Sequence, residues 1–332
     1  MLSVSLICVI VLALAFDFIN GFHDTANSIA TSVSTRVLSP RQAIFMSASL
    51  NLLGALMSSK VAYTITNGLV DNSMIKVQYV IIATLVAAII WDLITWYIAI
   101  PSSSSHALIG ALIGSSIAYA GGLSIVKWDG VFQKVIIPLF SSPVLGFAMG
   151  FLFMKFLFKI LSSYSQRFVN RYFSKLQIFS AAFMAYSHGK NDAQKSMGII
   201  TLALVGANMV DPESGVPFWV MMSCALAMAL GTSLGGWKII KTMGVNMIRL
   251  QPIGGFAAET GAAIVIETMS AIGAPVSTTQ VISTSIMGVG ASKRLSAVRW
   301  TLCRNIVYAW IFTIPVTALL GAFITMLFKI LV

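Results

Sequence analysis

Gly21-Phe22-His23-Asp24-Thr25-Ala26-Asn27-Ser28 and Gly189-Lys190-Asn191-Asp192-Ala193-Gln194-Lys195-Ser196 align without a gap, 168 residues apart, each inside an apolar stretch. A second pair keeps the same order. Pro101-Ser102-Ser103-Ser104-Ser105-His106 matches Pro275-Val276-Ser277-Thr278-Thr279-Gln280 at an offset of 174, and each run leads to a glycine, Gly114 and Gly288. A period of about half the chain marks one duplicated unit, not a solenoid of short repeats.

The composition around these motifs says which solvent the unit faces. Of the 332 residues 58% are hydrophobic and only 9% charged, with mean hydropathy +0.90, whereas soluble domains carry about a quarter charged residues. Stretches at 2–16, 79–100, 135–160, 216–235 and 305–328 approach the roughly 20 residues that cross a hydrocarbon core of about 30 Å. The expected fold is an all-α polytopic membrane protein, an inverted-repeat helical bundle of about 10–12 transmembrane segments with broken or re-entrant helices. The first stretch lacks a basic flank and a small-residue cleavage site, so it reads as retained structure and not as a signal peptide. The net charge of +11 does not point to nucleic acid, because the Lys and Arg residues fall in short loops between apolar segments. Cys8, Cys224 and Cys303 form no CxxC spacing and read as packing residues.

The loops sort by charge. Arg36 and Arg41; Lys155 to Lys175; Lys238, Lys241 and Arg249; and Lys293, Arg294, Arg299 and Arg304 make four basic segments, expected on the cytoplasmic side. Lys60, Asp71 and Lys76; Lys127, Asp129 and Lys134; and Asp211 with Glu213 are balanced or acidic, expected outside. This divides the chain into a first membrane repeat at 1–160, a basic cytoplasmic linker at 161–175 and a second, inverted repeat at 176–332, with some crossings broken around the polar motifs. Inverted repeats are a layout of secondary transporters.

On a helix Asp24, Asn27 and Ser28 share a face, as do Asp192, Lys195 and Ser196. Carboxylates at membrane depth are expensive and usually line a site or pathway; the bland alternative is a polar contact between helices. The hydroxyl runs offer the opposite chemistry. Pro101 and Pro275 suit the first turn of a helix, whose free N–H groups favour an anion, and Ser103, Ser104, Ser105, Ser277, Thr278 and Thr279 can donate to its oxygens. Their bland alternative is capping or close packing. An anion and two carboxylates repel unless a cation lies between them, so Asp24, Asn27, Ser28, Asp192 and Ser196 are expected to hold a coupling cation. In the second copy Lys195 replaces Asn27 and would compete with a metal ion for Asp192, which removes one sodium site. His23, His188, Lys190, Lys195 and Glu259 are candidates for a proton or charge relay, with Lys190 free to pair with Asp192. Asp92 and Glu267 are expected outside the core site.

At these residues the chain resembles the inorganic phosphate transporter (Pit) family, whose duplicated signature looks like GFHDTANSIATSV and SHGKNDAQKSMGI and whose hydroxyl motifs look like PSSSSHALIGALIG and APVSTTQVI. The resemblance spans nearly the whole chain. It implies a homodimeric inverted-repeat bundle in lipid, phosphate held by Ser103, Ser104, Ser105, Thr278 and Thr279, and a cation near Asp24, Asn27 and Asp192. Sodium-coupled members have a signature closer to NDxAN in both copies. HDTAN and NDAQK look instead like bacterial inner-membrane members coupled to protons or carrying a divalent metal with phosphate. No cofactor is implied. A sodium-coupled phosphate symporter and a sulfate permease remain as alternatives, an intramembrane aspartyl enzyme or a passive anion channel as remote ones.

Overall fold

The computed structural model describes residues 3–71 and 78–331; Lys76, counted above among the outer loops, lies outside them. The apolar stretches become helices because a backbone in hydrocarbon must satisfy its own hydrogen bonds, and no strand is present among the described residues. In chain order the helices are α1 (Val4–Ser34), α2 (Pro40–Ala55), α3 (Lys60–Asn67), α4 (Gln78–Tyr97), α5 (Ser104–Ala120), α6 (Trp128–Val131), α7 (Ile137–Leu161), α8 (Gln166–Gly206), α9 (Phe218–Leu234), α10 (Trp237–Lys241), α11 (Pro252–Ala271), α12 (Thr278–Lys293) and α13 (Trp300–Leu331).

Among the described residues α1, α4, the continuous span Trp128–Leu161 and α13 are long and apolar enough to cross a membrane; two pairs bent by 62° and 63°, α2 with α3 and α9 with α10, raise the number to six. The outer surface confirms the solvent. Phe140, Val144, Leu152 and Phe156 on α7 and Ile311, Phe312, Leu319 and Phe323 on α13 are all exposed, a continuous apolar coat that water would not tolerate. The chain is an integral membrane protein. Inside that coat lie the motif-bearing helices: α12 is buried from Thr278 to Ser292, and α8 from Asn191 to Val205.

The packing of the two halves recurs. α7 is the next long helix after α5 in sequence but packs against α12, while α13 is the next after α12 but packs against α5. Glycines let these backbones touch: a Cβ on Gly114 would lie 1.9 Å from the Ala318 carbonyl, and one on its counterpart Gly288 2.1 Å from that of Phe147. In the same way Gly21 abuts Met228 and Gly189 abuts Asn51. Two Trp locks repeat as well, Trp128 Nε1 donating to the Leu123 carbonyl and Trp300 Nε1 to that of Leu295.

α1 and α8 run antiparallel through the centre. Ser196 meets Asp17 halfway along α1, and Thr35 meets Gln177 at its C-terminal end. The basic segments gather at the Thr35 end. Arg249, Lys293, Arg294 and Arg299 line one 470 Å³ cavity, Lys293 stacks over Phe158 of α7, and Lys238 reaches the Tyr97 carbonyl. The balanced loops gather at the opposite end, where Lys60 and Lys134 bind the last carbonyls of α11 (Ala271, Ile272) and Asn67 binds that of Pro212.

Two expectations change here. The linker expected at 161–175 shrinks to residues 162–165, because α7 and α8 run on as helices; Lys155 and Lys159, and Arg167, Arg171 and Lys175, ride on their ends. At 41 residues α8 is about 60 Å long, about twice the roughly 30 Å of a hydrocarbon core. The helices are also unbroken at the Asp motifs, where Asp24 and Asp192 lie mid-helix, while the hydroxyl runs fall at the breaks before α5 and α12. The bends fall instead at residues 56–59 and at Gly235-Gly236, where Gly235 has φ 70° and a Cβ on Gly236 would meet the Phe22 carbonyl at 2.4 Å.

Candidate functional site

The hydroxyl runs start helices, as their composition suggests. Ser103 caps α5 by accepting from His106 N, and Ser277 caps α12 by accepting from Gln280 N, both at 3.2 Å. Pro101 and Pro275 stand two residues before these caps, not in the first turn. The reason is local: a side-chain acceptor fills the cap best, and proline then fixes the extended approach to it. The two helix N-termini meet head to head, with Ser105 donating to the Val276 carbonyl at 3.0 Å and Gln280 Nε2 lying 3.3 Å from His106 Nδ1.

Between them sit the paired carboxylates. Asp24 Oδ1 lies 2.7 Å from His23 Nδ1 and accepts from Thr279 Oγ1 at 3.3 Å, while its Oδ2 accepts from Ser104 at 3.4 Å. Asp192 Oδ1 lies 2.5 Å from Lys195 Nζ; its Oδ2 accepts from Thr278 at 3.1 Å and lies 3.4 Å from His188 Nε2. Asn27 Nδ2 bridges the two hydroxyls, 3.3 Å from Thr278 and 2.8 Å from Thr279. All these side chains are buried. One ligand atom each from Asp24, His188 and Asp192 lie within 4.8 Å of one another, close enough to share a single cation.

Of the expected residues, the structure brings Asp24, Asn27, Asp192, Lys195, His23, His188, Ser104, Thr278 and Thr279 into one cluster, with Ser105, Ser103 and Ser277 at its edge as backbone partners. Ser28 and Ser196 turn away, Ser28 to Ser47 at 2.7 Å and Ser196 to Asp17 at 2.7 Å. An i+4 step from Asp places them on the helix flank that a neighbouring helix covers. Lys190 pairs with Glu267 at 2.6 Å, both partly exposed, and not with Asp192, whose oxygens Lys195, Thr278 and His188 surround. Glu259 stands apart from the cluster and accepts from Thr31, Ser180 and, at 3.3 Å, Gln177.

Two carboxylates were missed. Asp17 is fully buried about two turns from Asp24 and accepts from Ser196; Asp92 is fully buried beside His23, Asp24 and Ser104, not outside the site. Spacing offered a signal for the first, since Asp17, Asn20 and Asp24 recur every three or four residues on one helix face.

Acids held by a histidine, a lysine and hydroxyls, at facing helix N-termini inside a lipid-facing bundle, define a membrane transporter and not a hydrolytic dyad. The chain belongs to the phosphate transporter family, whose family model matches residues 20–321. It is 48% identical over 317 residues to the "Probable low-affinity inorganic phosphate transporter" of Bacillus subtilis (strain 168), covering 95% of both chains, and 45% identical over 319 residues to the protein of that name in Mycobacterium tuberculosis (strain ATCC 25618 / H37Rv), covering 96% of this chain and 76% of that one. A solved structure described as a sodium-dependent phosphate transporter superposes with a TM-score of 0.89 over 99% of this chain and 100% of that one; at 24% identity the likeness is one of fold.

Proposed function

We propose that the chain is a secondary active importer of inorganic phosphate in a bacterial plasma membrane, coupled to a proton or to a divalent metal carried with phosphate in preference to sodium. One observation carries the reading: Ser104, Thr278 and Thr279 spend their hydroxyl protons on Asp24 and Asp192. A hydroxyl has one proton to give. Phosphate at the facing helix N-termini can therefore claim these donors only once the carboxylates are neutralised. A proton on Asp24, or a cation among Asp24, His188 and Asp192, frees the hydroxyls and removes the repulsion together, so anion and cation bind as a pair. In this reading phosphate is held by Ser103, Ser104, Ser105, Ser277, Thr278 and Thr279 with their backbone N–H groups, and the cation by Asp24, Asn27 and Asp192.

The antiparallel course of α1 and α8 and the exchanged packing of α7 and α13 support two inverted repeats, residues 1–160 and 176–332, rocking about this midplane site. With the motif helices α5, α8, α11 and α12 counted, the bundle reaches the expected ten segments. The basic end faces the cytoplasm, and the working unit is a homodimer, as the resemblance implies.

A second reading has a specific support. The relatives' names give phosphate as the substrate, and the solved structure is of a sodium-dependent protein; sodium prefers hard oxygens such as those of Asp24 and Asn27. Labelled-phosphate uptake into proteoliposomes under an imposed proton or sodium gradient, with excess sulfate present, separates the two. Uptake driven by protons and indifferent to sulfate is expected. Uptake with sodium alone establishes the second reading, and competition by sulfate moves the substrate. Asp24→Asn is expected to abolish gradient-driven uptake with the protein still inserted; a near-normal rate removes Asp24 from the mechanism.

A further inference from the structure

At the basic end of the bundle, Arg249 from the stretch before α11, Lys293 and Arg294 at the end of α12, and Arg299 just before α13 line one cavity of 470 Å³. All four side chains are exposed. No Asp or Glu occurs in the two lining segments, 245–249 and 293–299, and none of the four bases pairs with an acid among the described residues. Lys293 lies over the Phe158 ring, 5.9 Å from its centre. Like charges gathered without a counter-ion repel one another, so either the fold needs them there or a ligand does.

The duplication answers the first alternative. Leu123-Ser124-Ile125-Val126-Lys127-Trp128 and Leu295-Ser296-Ala297-Val298-Arg299-Trp300 align without a gap, 172 residues apart. Their backbones are pinned alike: Lys127 N donates to the Leu69 carbonyl at 2.9 Å and Arg299 N to that of Met247 at 3.2 Å, and each turn carries its Trp lock. At the balanced end, however, Gly121-Gly122 stand where Lys293-Arg294 stand, and the Lys127 ammonium donates to the Asn67 carbonyl at 2.8 Å. The same turn is thus built with one base, held by the chain itself. Sidedness does not require the convergence either. The bias toward basic loops counts Lys and Arg near the membrane ends whatever their grouping, and Arg167, Arg171 and Lys175 on α8 contribute to it from outside the cavity.

The rim says where a ligand would come from. Leu295 is 67% exposed and Trp300 45%, beside Arg294 and Arg299, and from Trp300 the helix α13 continues into the apolar coat that faces lipid. A Trp at the head of a membrane helix sits at headgroup level. Bases above an apolar rim at that depth match a phospholipid, whose phosphates lie over its chains, and basic pockets between membrane helices take such headgroups. One phosphodiester carries a single negative charge and leaves most of the four cations unmatched. Two linked phosphodiesters match them better, and the cavity falls within the size range of ligand sites.

We propose that this cavity binds the headgroup of an anionic phospholipid from the leaflet at the basic end, one bearing two phosphodiesters, held by Arg249, Lys293, Arg294 and Arg299. Because α12 runs from Thr278 and Thr279 at the transport site to Lys293, the lipid clasps the far end of the helix that presents those hydroxyls. The site is independent of which ion drives transport.

Purified full-length protein in neutral detergent is titrated with diphosphatidylglycerol, with phosphatidylcholine and with inorganic pyrophosphate, and the thermal unfolding midpoint is read. Diphosphatidylglycerol is expected to raise it by about 3 °C or more at saturation, and phosphatidylcholine to leave it in place. Arg294→Gln with Arg299→Gln is expected to weaken the apparent lipid affinity about tenfold or more. Arg167→Gln with Arg171→Gln removes the same charge at the same end, outside the cavity, and is expected to keep the affinity. Ser296→Trp fills the cavity without altering charge and is expected to weaken binding as the arginine pair does. Absence of a shift with diphosphatidylglycerol overturns the inference. Equal losses in the two arginine pairs reduce the effect to general surface attraction and overturn it too, and so does an unchanged affinity in Ser296→Trp, the arm that remains should Arg294→Gln with Arg299→Gln fail to fold. Stabilisation by pyrophosphate in place of the lipid overturns the lipid as the ligand.

Discussion

Lys195 occupies the place where its repeat mate is Asn27, and the exchange alters the chemistry of one half of the site. Its ammonium lies 2.5 Å from Asp192 Oδ1, with both side chains fully buried. Removing one member of such a pair strands the other charge, typically at about 3–5 kcal/mol. Lys195→Met is therefore expected to lower the thermal unfolding midpoint of the detergent-purified protein substantially, and Asp192→Asn with Lys195→Met to recover most of the loss. A double variant no more stable than the single one would show that the pair is not what the lysine serves. Lys195→Asn restores the composition of the other half and is expected to bring sodium stimulation of phosphate uptake; indifference to sodium would remove the competition argument. Asp24 and Asp192 were legible because each vouches for the other across the repeat. Asp17 and Asp92 escaped for the converse reason: at the same offsets their mates are Ala185 and Ile266, and a lone acid in an apolar run does not reveal which neighbours it meets.

At the scale of elements, the contact of α5 with α13 and of α12 with α7 rests on glycines, since van der Waals fit rather than hydrophobic expulsion joins helices in lipid. Gly114→Ala and Gly288→Ala are expected to destabilise by about 1–3 kcal/mol each, the usual penalty for overpacking, read as comparable falls in the unfolding midpoint. Gly122→Ala is the control, because a Cβ there meets nothing within 4 Å and φ is extended at −167°. Equal behaviour of all three would deny the close approach. The starts of α5 and α12 could be read from Ser103 and Ser277, as capping is a local affair. The bends could not be read alike. Gly235-Gly236 announces one, but Leu56-Met57-Ser58-Ser59 has neither glycine nor proline, and what sets it is tertiary, the packing of α3 against α8.

For the whole molecule the membrane class and duplication were plain in composition and motif order, while the exchange of α7 and α13 between halves was not: helices apolar on most faces carry no mark of their partner. The sidedness stands between these cases, because charge predicted two sets of loops and the structure collects them at opposite ends. Ser163, in the joint between α7 and α8, and Ser214, in the loop between α8 and α9, are both exposed and mark the two ends. With Cys8, Cys224 and Cys303 replaced by Ala in a variant that still takes up phosphate, Ser214→Cys is expected to react with a membrane-impermeant maleimide in intact cells, and Ser163→Cys only after permeabilisation. The reverse pattern would put the basic end outside.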